Sequence, residues 1–159
     1  MANIAAAQPI GEGFFAHLFN PTGRTNRAKW WLAAVIYMIL YAAALGVLYY
    51  FYTQGMPLPG FAIFGVAALV IMVSSILVAI RRLHDRDKSG HWLWLFFVLP
   101  GVLSGSANVV MAWGTSEAVI GGMVLTLVSL GISIWAFVVL GCLRGTQGAN
   151  RFGPDPLQA

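Results

Sequence analysis

Three stretches of this chain hold most of the residues able to do chemistry: GRTNRAKWW at 23–31, RRLHDRDKSGHW at 81–92 and GTQGANRFGPDP at 145–156. In the middle stretch six of twelve residues are formally charged and two more are histidines. His84 stands beside Asp85, and a carboxylate near an imidazole orients it and raises its pKa. As a metal site, His84, Asp85, Asp87 and His91 would supply hard and borderline ligands, but their spacing matches no zinc or calcium pattern, and no metal is expected. As a catalytic site, the His–Asp pair would need a nucleophile or an activated water, and Ser89 is the only local hydroxyl. No catalytic residue is assigned. The third chemistry is recognition: arginines and a histidine at a membrane surface meet lipid phosphates, with the acids holding them in place. The plain alternative is topology plus helix capping. If the preceding helix continues past Ile80, Arg81 and Asp85 lie at i,i+4 and could pair, and Arg82 and Arg86 repel across the same spacing. Ser89 or Asp87 would cap the helix that follows.

The elements around these residues are set by composition. Of 159 residues, 59% are hydrophobic and 9% charged, against roughly 25% charged in a soluble domain. Lipid must cover much of the surface. The net charge of +4 therefore reads as membrane topology, and no nucleic-acid partner is expected. About 20 apolar residues cross a bilayer core, and four uncharged stretches qualify: Trp30–Tyr52, Phe61–Ile80, Trp92–Trp113 and Ala118–Leu143. The expected fold class is all-α, a polytopic membrane protein with four transmembrane helices. It comprises an N-terminal segment 1–29, a transmembrane domain 30–143 and a tail 144–159. The N-terminus lacks the pattern of a signal peptide, so the first span is expected in the mature protein. All nine Lys and Arg residues fall before the first span, in the middle loop or after the last span. By the positive-inside rule both termini and the middle loop are cytoplasmic. Trp30, Trp31, Trp92, Trp94 and Trp113 mark span ends, as interfacial aromatics do. Residues 14–19 (FFAHLF) are too short to cross the bilayer but apolar enough to lie in its interface, with a disordered tail as the alternative. The single cysteine, Cys142, permits no internal disulfide.

Within the third span, Gly101 and Gly105 form a GxxxG suited to close helix packing. Pro100 removes a backbone donor and is expected to kink or break that helix. Ser104, Ser106 and Asn108 would then line a polar cavity, or bond their own backbone. No ionisable residue lies well inside a span, which argues against a proton-coupled transporter. The stretches at 23–32 and 85–94 both run from basic residues into tryptophans. They suggest a parallel repeat of two hairpins, an echo that topology rules alone also produce.

The three motifs, in that order, resemble the small bacterial inner-membrane proteins grouped as domain of unknown function 805. The likeness covers residues 14–156. It implies a four-span protein of the bacterial cytoplasmic membrane and brings no known reaction or cofactor. His91 departs from the aromatic or aliphatic residue the family more often has there. The family motifs point to one cytoplasmic cluster of Arg24, Arg81, Arg82, His84, Asp85, Ser89, Asn150 and Asp155. A tail stiffened by prolines would bring Asp155 back onto Arg81 or Arg82. Three functions fit: a non-enzymatic accessory or interaction subunit with other membrane subunits or copies of itself as partners, a binder or carrier of an anionic lipid, and a membrane enzyme acting on lipid headgroups.

Overall fold

The computed structural model describes residues 18–158. Four helical spans organise them, and among the described residues there is no β-strand. Helix α1, Arg27–Thr53, starts where Asn26 turns its side chain back to accept from the Lys29 N–H at 2.9 Å, so that one orphan donor of the first turn is satisfied. At 27 residues it is about 40 Å long. Gly55, in the left-handed region at φ 73°, turns the chain, and Pro57 opens helix α2, Pro57–His84, at a position where its missing N–H costs nothing. Because α2 runs on to His84, Arg81, Arg82 and His84 lie on its last turn.

The third span is composite. A π-helical turn, Trp94–Val98, feeds helix α3, Leu99–Met111. The irregularity expected at Pro100 thus sits just before it. Pro100 is buried near the start of α3, and its carbonyl accepts from Ser129 Oγ at 2.9 Å. Helix α4, Ser116–Phe137, is capped by Thr115, whose hydroxyl accepts from the Ala118 N–H. It ends in a second π-helical turn, Val138–Cys142.

Helix pairs α1–α2 and α3–α4 pack as two hairpins, and contacts between the hairpins gather at the Val138–Cys142 turn, against α1 and α2. Small residues make the close approaches: Ala33 and Ala107 are fully buried, and Gly122 faces the Ala107 carbonyl and Met111 with no room for a Cβ. Gly101 and Gly105 do not share this role, since a Cβ at either would meet nothing within 4 Å. Only 11–22% of each span's most apolar window is buried within the protein. The remainder is apolar surface that a bilayer would cover.

Of the expected interfacial segment 14–19, residues 14–17 lie outside the described residues, while Leu18 and Phe19 are helical. The chain from there runs along the end of α2. Ser74 Oγ donates to the Leu18 carbonyl at 2.8 Å and also meets the Tyr37 hydroxyl, and the Thr25 N–H donates to the Arg81 carbonyl at 3.2 Å.

A buried arginine–aspartate cap as candidate functional site

Asp85 is the centre of the basic end of the bundle. It follows the last turn of α2 and is 3% exposed. Arg24 donates Nε to its Oδ1 at 3.1 Å, with Nη2 at 3.0 Å from the same oxygen. Arg82, one turn back on α2, donates Nη1 to Oδ2. Both guanidiniums are buried, and a carboxylate between them is what makes that burial tolerable, since an isolated ion in low dielectric is strongly disfavoured.

The remaining donors of these arginines go to main-chain carbonyls. The last carbonyls of a helix have no partner within it. Here five consecutive ones are each met by a side chain from the other hairpin or the middle loop. Arg86 Nη1 donates to the Val139 carbonyl at 3.1 Å and Arg82 Nε to Leu140 at 2.7 Å. Trp31 Nε1 donates to Gly141 at 3.1 Å and Arg27 Nη1 to Cys142 at 3.0 Å. Arg82 Nη2 donates to Leu143. Three arginines therefore meet the negative end of the α4 dipole and tie the two hairpins together.

The tail is bound by the same logic. Arg24 Nη1 and Nη2 donate to the carbonyls of Gly148 and Thr146, both at 2.6 Å. The Thr146 N–H and hydroxyl donate to the Asp85 carbonyl at 2.8 and 3.1 Å. Asn150 Nδ2 donates to the His84 carbonyl and to Thr146 Oγ1, each at 2.9 Å. Gly145 passes so close to Asp85 that a Cβ there would overlap the carboxylate. The His84 ring lies flat on Phe152, centroids 3.9 Å apart and 6° from parallel. Its Nδ1–H donates to the Gly23 carbonyl at 3.3 Å.

Asp155 is 7% exposed and accepts from the Leu157 N–H at 3.0 Å and the Gly148 N–H at 3.1 Å. The Leu157 bond first, then Gly148 and the nearby Arg24 and Arg144, hold its carboxyl below the usual carboxylate range against the opposing effect of burial.

The structure thus brings Arg24, Arg82, His84, Asp85, Asn150 and Asp155 into one assembly, with Arg81 alongside, its Nη1 donating to the Asn20 carbonyl at 3.4 Å. Several pairings differ from the sequence expectation. Asp85 takes Arg24 and Arg82, whereas Arg81 points toward residues 18–25. His84 does not face Asp85, because neighbours in a helix point to different sides. The tail folds back as expected, but Asp155 bonds its own loop and lies near Arg24 and Arg144, not Arg81 or Arg82. Neither Ser89 nor Asp87 caps the third span by its side chain. Ser89 contributes its carbonyl to a turn with Trp92. Asp87 sits at φ 54° and pairs at the surface with Arg151 at 3.1 Å. In the third span Asn108 is exposed and bonds the Ser104 carbonyl at 2.7 Å, the backbone alternative to a polar cavity. The reading of residue types missed Thr25, Arg27, Trp31, Gly145, Thr146 and Phe152. Gly145 and Phe152 were visible as a glycine and an aromatic ring in an otherwise polar tail.

Beside this assembly a shallow, open cleft of about 20 Å³ is lined by Asn26, Arg27, Arg144, Thr146, Asp155 and Leu157, among others. Among the described residues no three His, Cys, Asp or Glu side chains cluster in a way that could hold a metal ion.

The family described as "Protein of unknown function (DUF805)" matches residues 18–154. Among relatives, uncharacterized protein YiiR of Escherichia coli K12 is 31% identical over 138 residues, covering 87% of this chain and 86% of YiiR. Inner membrane protein YhaI of the same organism is 31% identical over 135 residues, covering 85% of this chain and 84% of YhaI. Inner membrane protein YhaH is 27% identical over 141 residues, covering 84% of each chain. No solved structure matches the chain.

Proposed function

Since the chain belongs to the DUF805 family of proteins of unknown function, we propose that it acts as a non-enzymatic interaction module of the inner membrane. It is a multi-pass inner-membrane protein, and its folded cap forms the docking surface for a partner. The observation that carries this reading is the occupancy of the cap. Arg24, Arg82 and Asp85 have their donors and acceptors engaged by one another and by main chain, and His84 is held between Phe152 and the Gly23 carbonyl. Groups engaged in this way position backbone. A general acid or base needs instead to reach a substrate proton. What remains outward is a surface rimmed by the exposed Arg27, Lys29, Arg144 and Arg151 and the half-buried Lys88.

The cap faces the cytoplasm in this reading, and both termini with it. Support comes from the nine basic residues, all in stretches flanking the same span ends, as the positive-inside rule requires. One experiment tests both parts. Spheroplasts are treated with a membrane-impermeant amine reagent, and the native protein is then extracted in mild detergent and weighed intact by mass spectrometry. The expected result is a stoichiometric complex in which Lys29 and Lys88 are unlabelled. A particle holding a single copy of this chain alone overturns the interaction reading, and labelled Lys29 and Lys88 overturn the orientation.

A further inference from the structure

We propose that the cleft between Arg27 and Arg144 seats the phosphate of an anionic phospholipid, whose acyl chains lie on the membrane face just below it. The inference goes beyond the interaction module proposed above, and the two can fail separately.

The cationic groups sort themselves by what they already hold. Arg24 and Arg82 are buried and engaged by Asp85 and main chain. Arg86 is turned to the Val139 carbonyl. Arg151 pairs with Asp87, and the Lys88 ammonium sits 3.8 Å over the Trp92 ring. Arg144, by contrast, is exposed and donates no hydrogen bond to any described residue, acting on Asp155 through its charge alone, while Arg27 spends one nitrogen on the Cys142 carbonyl and is otherwise outward. These two guanidiniums wall the same cleft. Planar guanidiniums of this kind bind phosphate through paired N–H donors.

Two carboxylates also line the cleft, Asp85 and Asp155, and they would oppose an anion if they were free. Asp85 has both oxygens held by Arg24 and Arg82, and both Asp155 oxygens accept backbone N–H groups. Four arginines against these two aspartates leave two positive charges in excess at the site.

What favours a lipid over a soluble phosphate is the surface beneath. Arg27 opens α1 and Arg144 follows the end of α4, so the cleft lies at the level where those spans leave the apolar region. One turn in from Arg27, Trp31 is 42% exposed and meets Phe137, itself 50% exposed, edge to face at 5.6 Å. Below this pair α1 and α4 do not pack on each other along their lengths, because the hairpins meet at the Val138–Cys142 turn. A cationic cleft at the span ends, next to the exposed apolar surface of Trp31 and Phe137, has the polarity of a phospholipid. Trp31 also bonds the Gly141 carbonyl, which fixes its ring one turn in from Arg27, outside the cleft itself.

The test uses the full chain in mild detergent, equilibrated with phosphatidylglycerol, with retained lipid counted by native mass spectrometry. Arg144→Gln is expected to weaken retention about tenfold more than Lys29→Gln, because a guanidinium bonded to phosphate contributes more than one diffuse surface charge. Lys29 lies outside the cleft. Arg144→Gln removes no described hydrogen bond, so thermal unfolding of the variant should match that of the parent. If it does not, Arg144→Lys, which keeps the charge and loses the planar fork, makes the same comparison. Equal losses from Arg144→Gln and Lys29→Gln would mean diffuse attraction and overturn the site, as would undiminished retention. Release of the lipid by inorganic phosphate at millimolar concentration would overturn the lipid assignment in favour of a soluble phosphate.

Discussion

The two ends of the helical bundle are closed by different chemistry. At one end the chain reverses twice with local devices alone. Gly55 and Gly114, both at φ 73°, supply the left-handed residue, Pro57 starts one helix and Thr115 caps another. No charge is buried there. At the other end, side chains from residues 24–31, 81–86 and 145–155 are interlocked around Asp85, and the carbonyls exposed by the end of α4 are matched one by one to arginines and a tryptophan. The first kind of closure needs only neighbours in sequence. The second joins residues 53 and more positions apart and holds the two hairpins together, which the helices along their lengths do little to do.

If that contrast is right, damage at the charged end should loosen hairpin association and leave the opposite end intact. The largest effect is expected from Asp85→Ala, which strands two buried guanidiniums and should cost about 3–5 kcal/mol. Thermal unfolding in detergent would show the loss, and limited proteolysis should open the tail while the turns at 54–56 and 112–115 stay protected. Cleavage appearing at those turns first would break the comparison.

Gly145→Ala should cost less, about 1–3 kcal/mol, because the added methyl overlaps the Asp85 carboxylate and the tail must shift. The same proteolysis assay checks it, and a variant with parental stability would show that the tail does not need this close approach.

The smallest effect concerns pH. Asp155 has its carboxyl held below the ordinary value of 3.8, so its contribution to tail docking is complete above that value. It is lost as pH falls through the lower value of the folded state. Hydrogen exchange at the Gly148 and Leu157 amides, which donate to Asp155, should accelerate across that window. In Asp155→Asn the acceleration should vanish. Unchanged exchange in the parent protein would remove Asp155 from the forces that hold the tail.

The four spans, their turns and the gathering of basic residues at common span ends follow from signals that the sequence carries in one dimension. These are runs of apolar residues as long as a bilayer is thick, an Asn or Thr before a helix, and Gly or Pro where it reverses. The cap was legible only as a set of residue types. That Arg24, Arg82, Asp85, Asn150 and Asp155 would share one site could be expected from charge and motif order. Their partners could not, because most of the acceptors in the cap are backbone carbonyls, at Leu140, Leu143, Thr146 and Gly148 among others. Every residue carries a carbonyl, so nothing in residue type says which are left unpaired. Only the packing of the π-helical turn Val138–Cys142 against α1 and α2 decides which carbonyls are left for the arginines to find.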